Sequence, residues 1–231
     1  MYAQFSKFLA IALLAMVILG GTACQEDTPK NDPPPKPATP PATVNIPAFQ
    51  ADSAYQYIAK QVSCTRVLGS EGHKACREWL VAQLKATGAS VIEQSFTAAV
   101  YTGKKFPAAN IIAQFNPDVS DRILLAAHWD TRHIADSPLN DTRQDEPILG
   151  ADDGGSGVGV LLELARLLQQ QPVGIGVDIV LFDAEDYGES GGAPETYCLG
   201  SQYWSNNIHT PYKHRFGILL DMVGQKRSFP H

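Results

Sequence analysis

Basic charge is scarce in this chain. Its 231 residues carry 18 Lys and Arg against 24 Asp and Glu, a formal net charge of -6, which leaves no basic footprint and argues against nucleic acid as a partner. Long apolar runs are missing too: the one pronounced stretch, Phe8 to Gly21, has 14 residues, whereas a membrane-spanning helix needs about 20. No internal repeat is visible, so repeat architectures drop out. What is present, 44% hydrophobic and 18% charged residues, is the composition of a globular protein with one domain.

Lys7 ahead of the apolar run, and the small residues Gly21-Thr22-Ala23 leading into Cys24, make residues 1–24 a targeting segment. The spelling resembles a bacterial lipoprotein signal, in which Cys24 is lipidated. That implies an exported lipoprotein anchored in the cell envelope, facing the periplasm or the surface. Gly21 departs from the Leu-like residue usual in that signal, so cleavage to a soluble exported form and a retained anchor stay open. Residues 25–47 form a Pro-rich linker, with eight of the chain's 16 prolines between Thr28 and Pro47. As extended polyproline II, about 20 such residues reach roughly 60 Å, which suits a tether.

Residues 48–231 alternate between helical and strand patterns. Helices are predicted from Asp52, as its cap, to Val62; from Gly72 to Thr87, with Cys76, Trp79, Leu80 and Leu84 on one face; from Gly155 to Gln169; and from Leu199 to Asn206. Strands are predicted at Ser90 to Thr97, Asn110 to Phe115, Arg122 to His128, Val177 to Asp183 and Phe216 to Asp221. This order predicts an α/β fold, a mixed, mostly parallel sheet sandwiched by helices.

Three of the apolar strands end on polar residues: His128-Trp-Asp130, Asp183-Ala-Glu185-Asp186 and Asp221, while Asp152-Asp153-Gly-Gly opens a helix. Each has an ordinary reading by itself. Asp-Asp-Gly serves as a turn or cap, Glu185-Asp186 as a solvated loop, His128 as a satisfied buried histidine and Asp221 as a loop cap. Together, acids at the ends of several apolar strands are costly to bury without a cation, and carboxylate and imidazole are good zinc ligands.

His128-Trp-Asp130-Thr, Gly150-Ala-Asp-Asp153-Gly-Gly-Ser-Gly157, Phe182-Asp-Ala-Glu185-Asp186, Leu199-Gly-Ser201 and Leu219-Leu-Asp221-Met-Val-Gly224 resemble the successive motifs of the zinc aminopeptidase superfamily, with its phosphorylase/hydrolase-like zinc exopeptidase fold. Within it the chain looks most like the bacterial glutaminyl cyclase branch, through Glu-Asp where peptidases usually carry Glu-Glu, the His-Trp-Asp-Thr-Arg string and Tyr197-Cys-Leu-Gly-Ser-Gln-Tyr-Trp204. The resemblance implies one Zn²⁺ held by Asp153 and Asp186, with Glu185 as general acid/base and Asp221 hydrogen-bonding in the active site. Asp152 and Asp183 become bystanders, and His128, a second-metal ligand in two-zinc peptidases only, is left unassigned. The implied reaction converts the N-terminal Gln of exported peptides or proteins to pyroglutamate with release of ammonia. Two alternatives stay open: a two-metal aminopeptidase, and a non-catalytic binding domain on a lipoprotein tether.

The third zinc ligand implied by the resemblance is a histidine far downstream of the Leu-Leu-Asp motif. His231 follows Asp221 too closely to match it, and His209 and His214 match no ligand position. The expectation is therefore a C-terminally incomplete domain that, as written, neither holds zinc tightly nor turns over. Cys64 and Cys76 could pair in an oxidising compartment or remain, with Cys198, buried thiols. Trp129, Tyr187 and Trp204 fit either a pocket lining or the core.

Overall fold

The computed structural model describes residues 46–136 and 142–224, which fall in the compact unit Asn45–His231. The targeting segment, Cys24, nearly all of the Pro-rich linker and His231 lie outside the described residues. No helix among the described residues is long and apolar enough to cross a membrane.

Two helices lead. Helix α1 (Ala51–Val62) has Gln50 at its cap position without a side-chain bond, so Asp52 is not the cap. It sits in the first turn, where its charge favours the positive end of the helix dipole. Helix α2 (Glu71–Ala86) is capped by Ser70, whose hydroxyl accepts from His73 N. Its Cys76, Leu80, Val81 and Leu84 recur at helical spacing and are buried together.

Strands β1 (Ser90–Ala99), β2 (Lys105–Phe115) and β3 (Arg122–His128) follow, then helix α3 (Gly155–Gln170), strand β4 (Gly176–Phe182), helix α4 (Leu199–Asn206) and strand β5 (His214–Leu219). The order across the sheet is β1-β2-β4-β3-β5. β2 is antiparallel to both of its neighbours, while β3 is parallel to β4 and to β5. The sheet is mixed as predicted, but its four pairings are divided evenly between antiparallel and parallel instead of being mostly parallel. β2 begins five residues earlier than the sequence suggested. Pro107 lacks an N–H, but β4 pairs only with Ile111–Phe115, and the early part of β2 meets β1 alone. β5 starts and stops two residues early, so Asp221 lies beyond the strand.

One face of the sheet carries Ile111, Ala113, Ala127, Val177, Ile179 and Leu181, packed against α2 and α3. The other carries Ile112, Ala126, Val180 and Phe182, with Trp204 of α4 against them. All seven residues of β4 are buried, as a central strand covered on both faces should be. Because β3, β4 and β5 run the same way, their C-terminal ends open on one edge. That edge is where open α/β sheets bind ligands.

Candidate functional site

His128 closes β3 and is buried. Its Nε2 lies 2.9 Å from Asp153 Oδ1 and 3.6 Å from Asp221 Oδ1, and its Nδ1 lies 3.6 Å from Asp130 Oδ1. Ligand atoms of His128, Asp153 and Asp221 all fall within 4.8 Å of one another. Glycine allows this crowding. Gly154, at φ 77°, caps α3 in a left-handed conformation, and a Cβ there would meet His128 Cε1 at 2.9 Å. At Gly157 a Cβ would lie 2.2 Å from Leu220 O, so only glycine lets α3 approach the segment bearing Asp221.

β4 delivers the other half of the site as the turn Asp183-Ala184-Glu185-Asp186. Its N–H groups are taken by two buried carboxylates. Ala184 N donates to Asp183 Oδ1 (2.8 Å), Glu185 N to Asp130 Oδ1 (3.0 Å) and Asp186 N to Asp130 Oδ2 (3.1 Å). Its carbonyls accept from the start of α4: Gly200 N to Asp183 O, Leu199 N to Ala184 O and Cys198 N to Glu185 O, each at 3.0 Å. Arg132 adds bonds to Asp186 O (2.8 Å) and Gly188 O (3.2 Å) while its fork grips Asp136. On the other flank Arg66 is fully buried and donates to the carbonyls of Trp129, Leu149 and Gly150, fastening the approach to Asp153. Asp153 and Asp186 line one cleft of about 440 Å³ with Arg132, Ile134, Ile148 and Tyr197.

The charges are unbalanced. Burial alone would lower the His128 imidazole, but hydrogen bonds with Asp130, Asp153 and Asp221 outweigh it and hold the ring well above its ordinary pKa. Burial, together with the neighbouring Asp130, Asp153 and Glu185, pushes the Asp186 carboxyl up to about 7, only partly offset by His128. Burial first, and then Asp130, Asp221 and Asp153, also raises Glu185 against the pull of His128. Asp186 Oδ2 is buried with no hydrogen-bond partner. A carboxylate oxygen left unpaired among like charges fits a bound divalent cation, and the oxygen and nitrogen donors are those zinc accepts.

A second group with ligand chemistry is Asp178, His209 and His214. Arg122 occupies both oxygens of Asp178, at 2.9 and 2.5 Å. Trp204 Nε1 donates to His209 Nδ1, so His209 Nε2 carries the proton it directs at Asp178 Oδ2 (3.1 Å) and has no lone pair for a metal. This group is a charge network under α4, near the start of β4 and away from the acidic turn.

The predicted residues Asp153, Glu185, Asp186 and Asp221 therefore meet at one sheet edge, with His128 among them. Asp152 and Asp183, expected to be bystanders to the metal chemistry, have structural bonds: Asp152 Oδ1 accepts from Gly224 N (2.7 Å), tying down the segment after Asp221, and Asp183 is part of the turn's bracing. Arg66, Asp130 and Arg132 were not singled out as site residues; only the position of Asp130 two residues past His128 hinted at its part. Cys64, Cys76 and Cys198 are free thiols, and burial, with Cys64 nearby, pushes Cys76 up to about 12. Trp129 and Trp204 belong to the core, while Tyr187 stacks on His133 at 3.9 Å.

The fold is that of the Zn-dependent exopeptidases and glutaminyl cyclases. The chain belongs to peptidase family M28, whose sequence profile matches residues 110–230. Among solved structures, Bacteroides thetaiotaomicron glutaminyl cyclase bound to N-acetylhistamine is 49% identical with a TM-score of 0.77, over 80% of this chain and 65% of that one. A Zn-dependent exopeptidase from Parabacteroides distasonis is 48% identical with a TM-score of 0.76, over 79% and 64%. The glutaminyl-peptide cyclotransferase of Drosophila melanogaster is 28% identical over 69% of this chain and 44% of its own length. The chain spans about half the length of the curated relatives it matches.

Proposed function

We propose that the whole protein is a zinc-dependent glutaminyl-peptide cyclotransferase acting on peptides or proteins that begin with Gln. The observation that carries this reading is the rigid Glu185–Asp186 turn, which presents Asp186 to the same cleft as Asp153. The similarity to solved glutaminyl cyclases supports it. Asp153 and Asp186 would hold the zinc. The third ligand that the resemblance implies, a histidine well past Asp221, is not among the described residues. When bound, zinc supplies Lewis acidity that polarises the side-chain amide of the substrate.

The chain's own residues handle protons and position. The α-amine of the N-terminal Gln attacks its side-chain amide carbon, a five-membered lactam closes and ammonia leaves. Glu185 takes a proton from the attacking amine and returns it to the departing nitrogen. Asp221 hydrogen-bonds the amine and aims it. No water acts as nucleophile, so the cleft has only to admit one small side chain and its amine.

The cluster of His128, Asp153 and Asp221 within 4.8 Å favours a second reading, a two-metal aminopeptidase in which Glu185 activates water. Incubating the whole protein with a Gln-initiated peptide separates the two. The cyclase reading expects ammonia and a pyroglutamyl peptide of unchanged length; free amino acids and a shortened peptide would overturn it.

The signal, linker and Cys24 add the proposal of an envelope lipoprotein held off the membrane by its Pro-rich tether. Labelled palmitate is expected to enter the wild-type protein and not Cys24→Ala. Equal labelling of both would remove the anchor from the account.

A further inference from the structure

Asp183 is wholly buried, and nothing in the proposed chemistry uses it. Its carboxylate accepts from Ala109 N on β2 at Oδ2 (2.7 Å) and from Ala184 N at Oδ1 (2.8 Å). His73 Nε2 of α2 lies 2.8 Å from the same Oδ1. With backbone donors already pointing at both oxygens, His73 completes the set as a third donor, so Nε2 is the protonated nitrogen. The imidazole is held in place by stacking on Trp129, with ring centroids 4.3 Å apart and planes 15° apart. Trp129 Nε1 in turn donates to Ala109 O (3.3 Å), and Trp129 N to Phe182 O (2.9 Å).

The bonds converge on a strained point. Ala184 sits at φ 55°, a left-handed conformation that a residue with a Cβ adopts only when its surroundings enforce it. Asp183 supplies the acceptor for the N–H of that residue. The next two N–H groups are taken by Asp130, and Asn110 Oδ1 accepts from Asp183 N at 3.0 Å. A buried aspartate and histidine could merely satisfy one another in a core. Here, however, the aspartate's other acceptor capacity is spent on the strand and on the turn that meet at the site.

We infer that His73 and Asp183 are positioning residues, a histidine–carboxylate brace that sets the backbone of Ala184 and thereby aims Glu185 and Asp186 into the cleft. Neither touches the reacting atoms. The inference rests on the reading of that turn as the functional one. It adds that the aim of the acids is set from α2, none of whose residues lines the cleft. Outer partners of this kind typically contribute about 10- to 100-fold to metal affinity or activity.

The test is residue-resolved amide exchange on the whole protein, combined with zinc competition against a chromophoric chelator. The variants are His73→Leu, His73→Gln, Asp183→Asn and, as a comparator in the same helix, Leu84→Ala, which is buried in the core. The glutamine amide can take the place of imidazole Nε2–H, so His73→Gln is expected to exchange at Ala184, Glu185 and Asp186 as wild type does. His73→Leu and Asp183→Asn are expected to exchange at least about tenfold faster at those three amides, and to hold zinc about tenfold more weakly where wild type holds it. Leu84→Ala is expected to lower thermal stability with no selective change at the turn. Loss of stability without selective exchange in His73→Leu, or a His73→Gln as fast as His73→Leu, would overturn the inference. Should wild type bind no zinc while the exchange pattern holds, the proposed function fails and the brace stands.

Discussion

In the whole protein, Glu185→Gln is expected to lower turnover of a Gln-initiated peptide by about 10²- to 10⁴-fold, the usual contribution of a positioned general acid/base, while metal content stays at the wild-type level. The two expectations separate the roles of neighbouring residues. The turn is held through the N–H of Glu185 on Asp130 and its carbonyl under Cys198. An isosteric amide therefore leaves the backbone as it was and removes only the group that exchanges a proton. Zinc content measured on the same preparation decides the reading. Joint loss of zinc and activity would make Glu185 a ligand, and activity within a fewfold of wild type would place the proton shuttle elsewhere.

Asp178→Ala is expected to destabilise the fold by about 3–5 kcal/mol, because it strands the Arg122 guanidinium, fully buried, without its carboxylate. An exposed pair would be worth about 0–1 kcal/mol, so the expected loss of melting temperature, roughly 6–20 °C for a chain of this size, distinguishes buried from surface behaviour. Replacing both partners, as Arg122→Met with Asp178→Leu, should cost less than the single change, since no charge is then left alone. Arg122 also donates to Pro117 O and Val119 O, so the double variant should still fall below wild type. A loss under 1 kcal/mol in Asp178→Ala would contradict the network as described.

The same network sets a pH dependence. Burial opposes ionisation of Asp178, but His209, Arg122 and His214 outweigh it and hold the carboxyl well below its usual range. A depressed folded-state value means stability that is present above the unfolded value of about 3.9 and is lost as pH falls toward the folded one. Wild type should therefore shed this contribution only in acid. Asp178→Ala, which lacks it at every pH, should show a flatter decline below about pH 4.

Much of this could be read from the residues, and what could not has a physical reason. β3 falls on Arg122–His128 as predicted because its apolar run is bounded by charge at one end and His128-Trp-Asp130 at the other. α4 likewise falls on Leu199–Asn206. Asp153, Glu185, Asp186 and Asp221 were legible as a set because parallel strands bring their ends together. What escaped was bracing between distant segments. His73 reaches Asp183 across 110 positions and Arg66 reaches Gly150 across 84, separations on which local periodicity is silent. Asp183 therefore read as a bystander beside its functional neighbours. The misplaced start of β2 has a local cause, since Pro107 argues against a strand until its hydrogen-bond partner is known to lie on one side only.

Zinc-edge anomalous diffraction from crystals of the whole protein tests the central claim most directly. One peak in contact with the carboxylates of Asp153 and Asp186, with His128 hydrogen-bonded beside it and unligated, is the result predicted. A second peak held by His128 and Asp221, or a single peak there without Asp186, would contradict it.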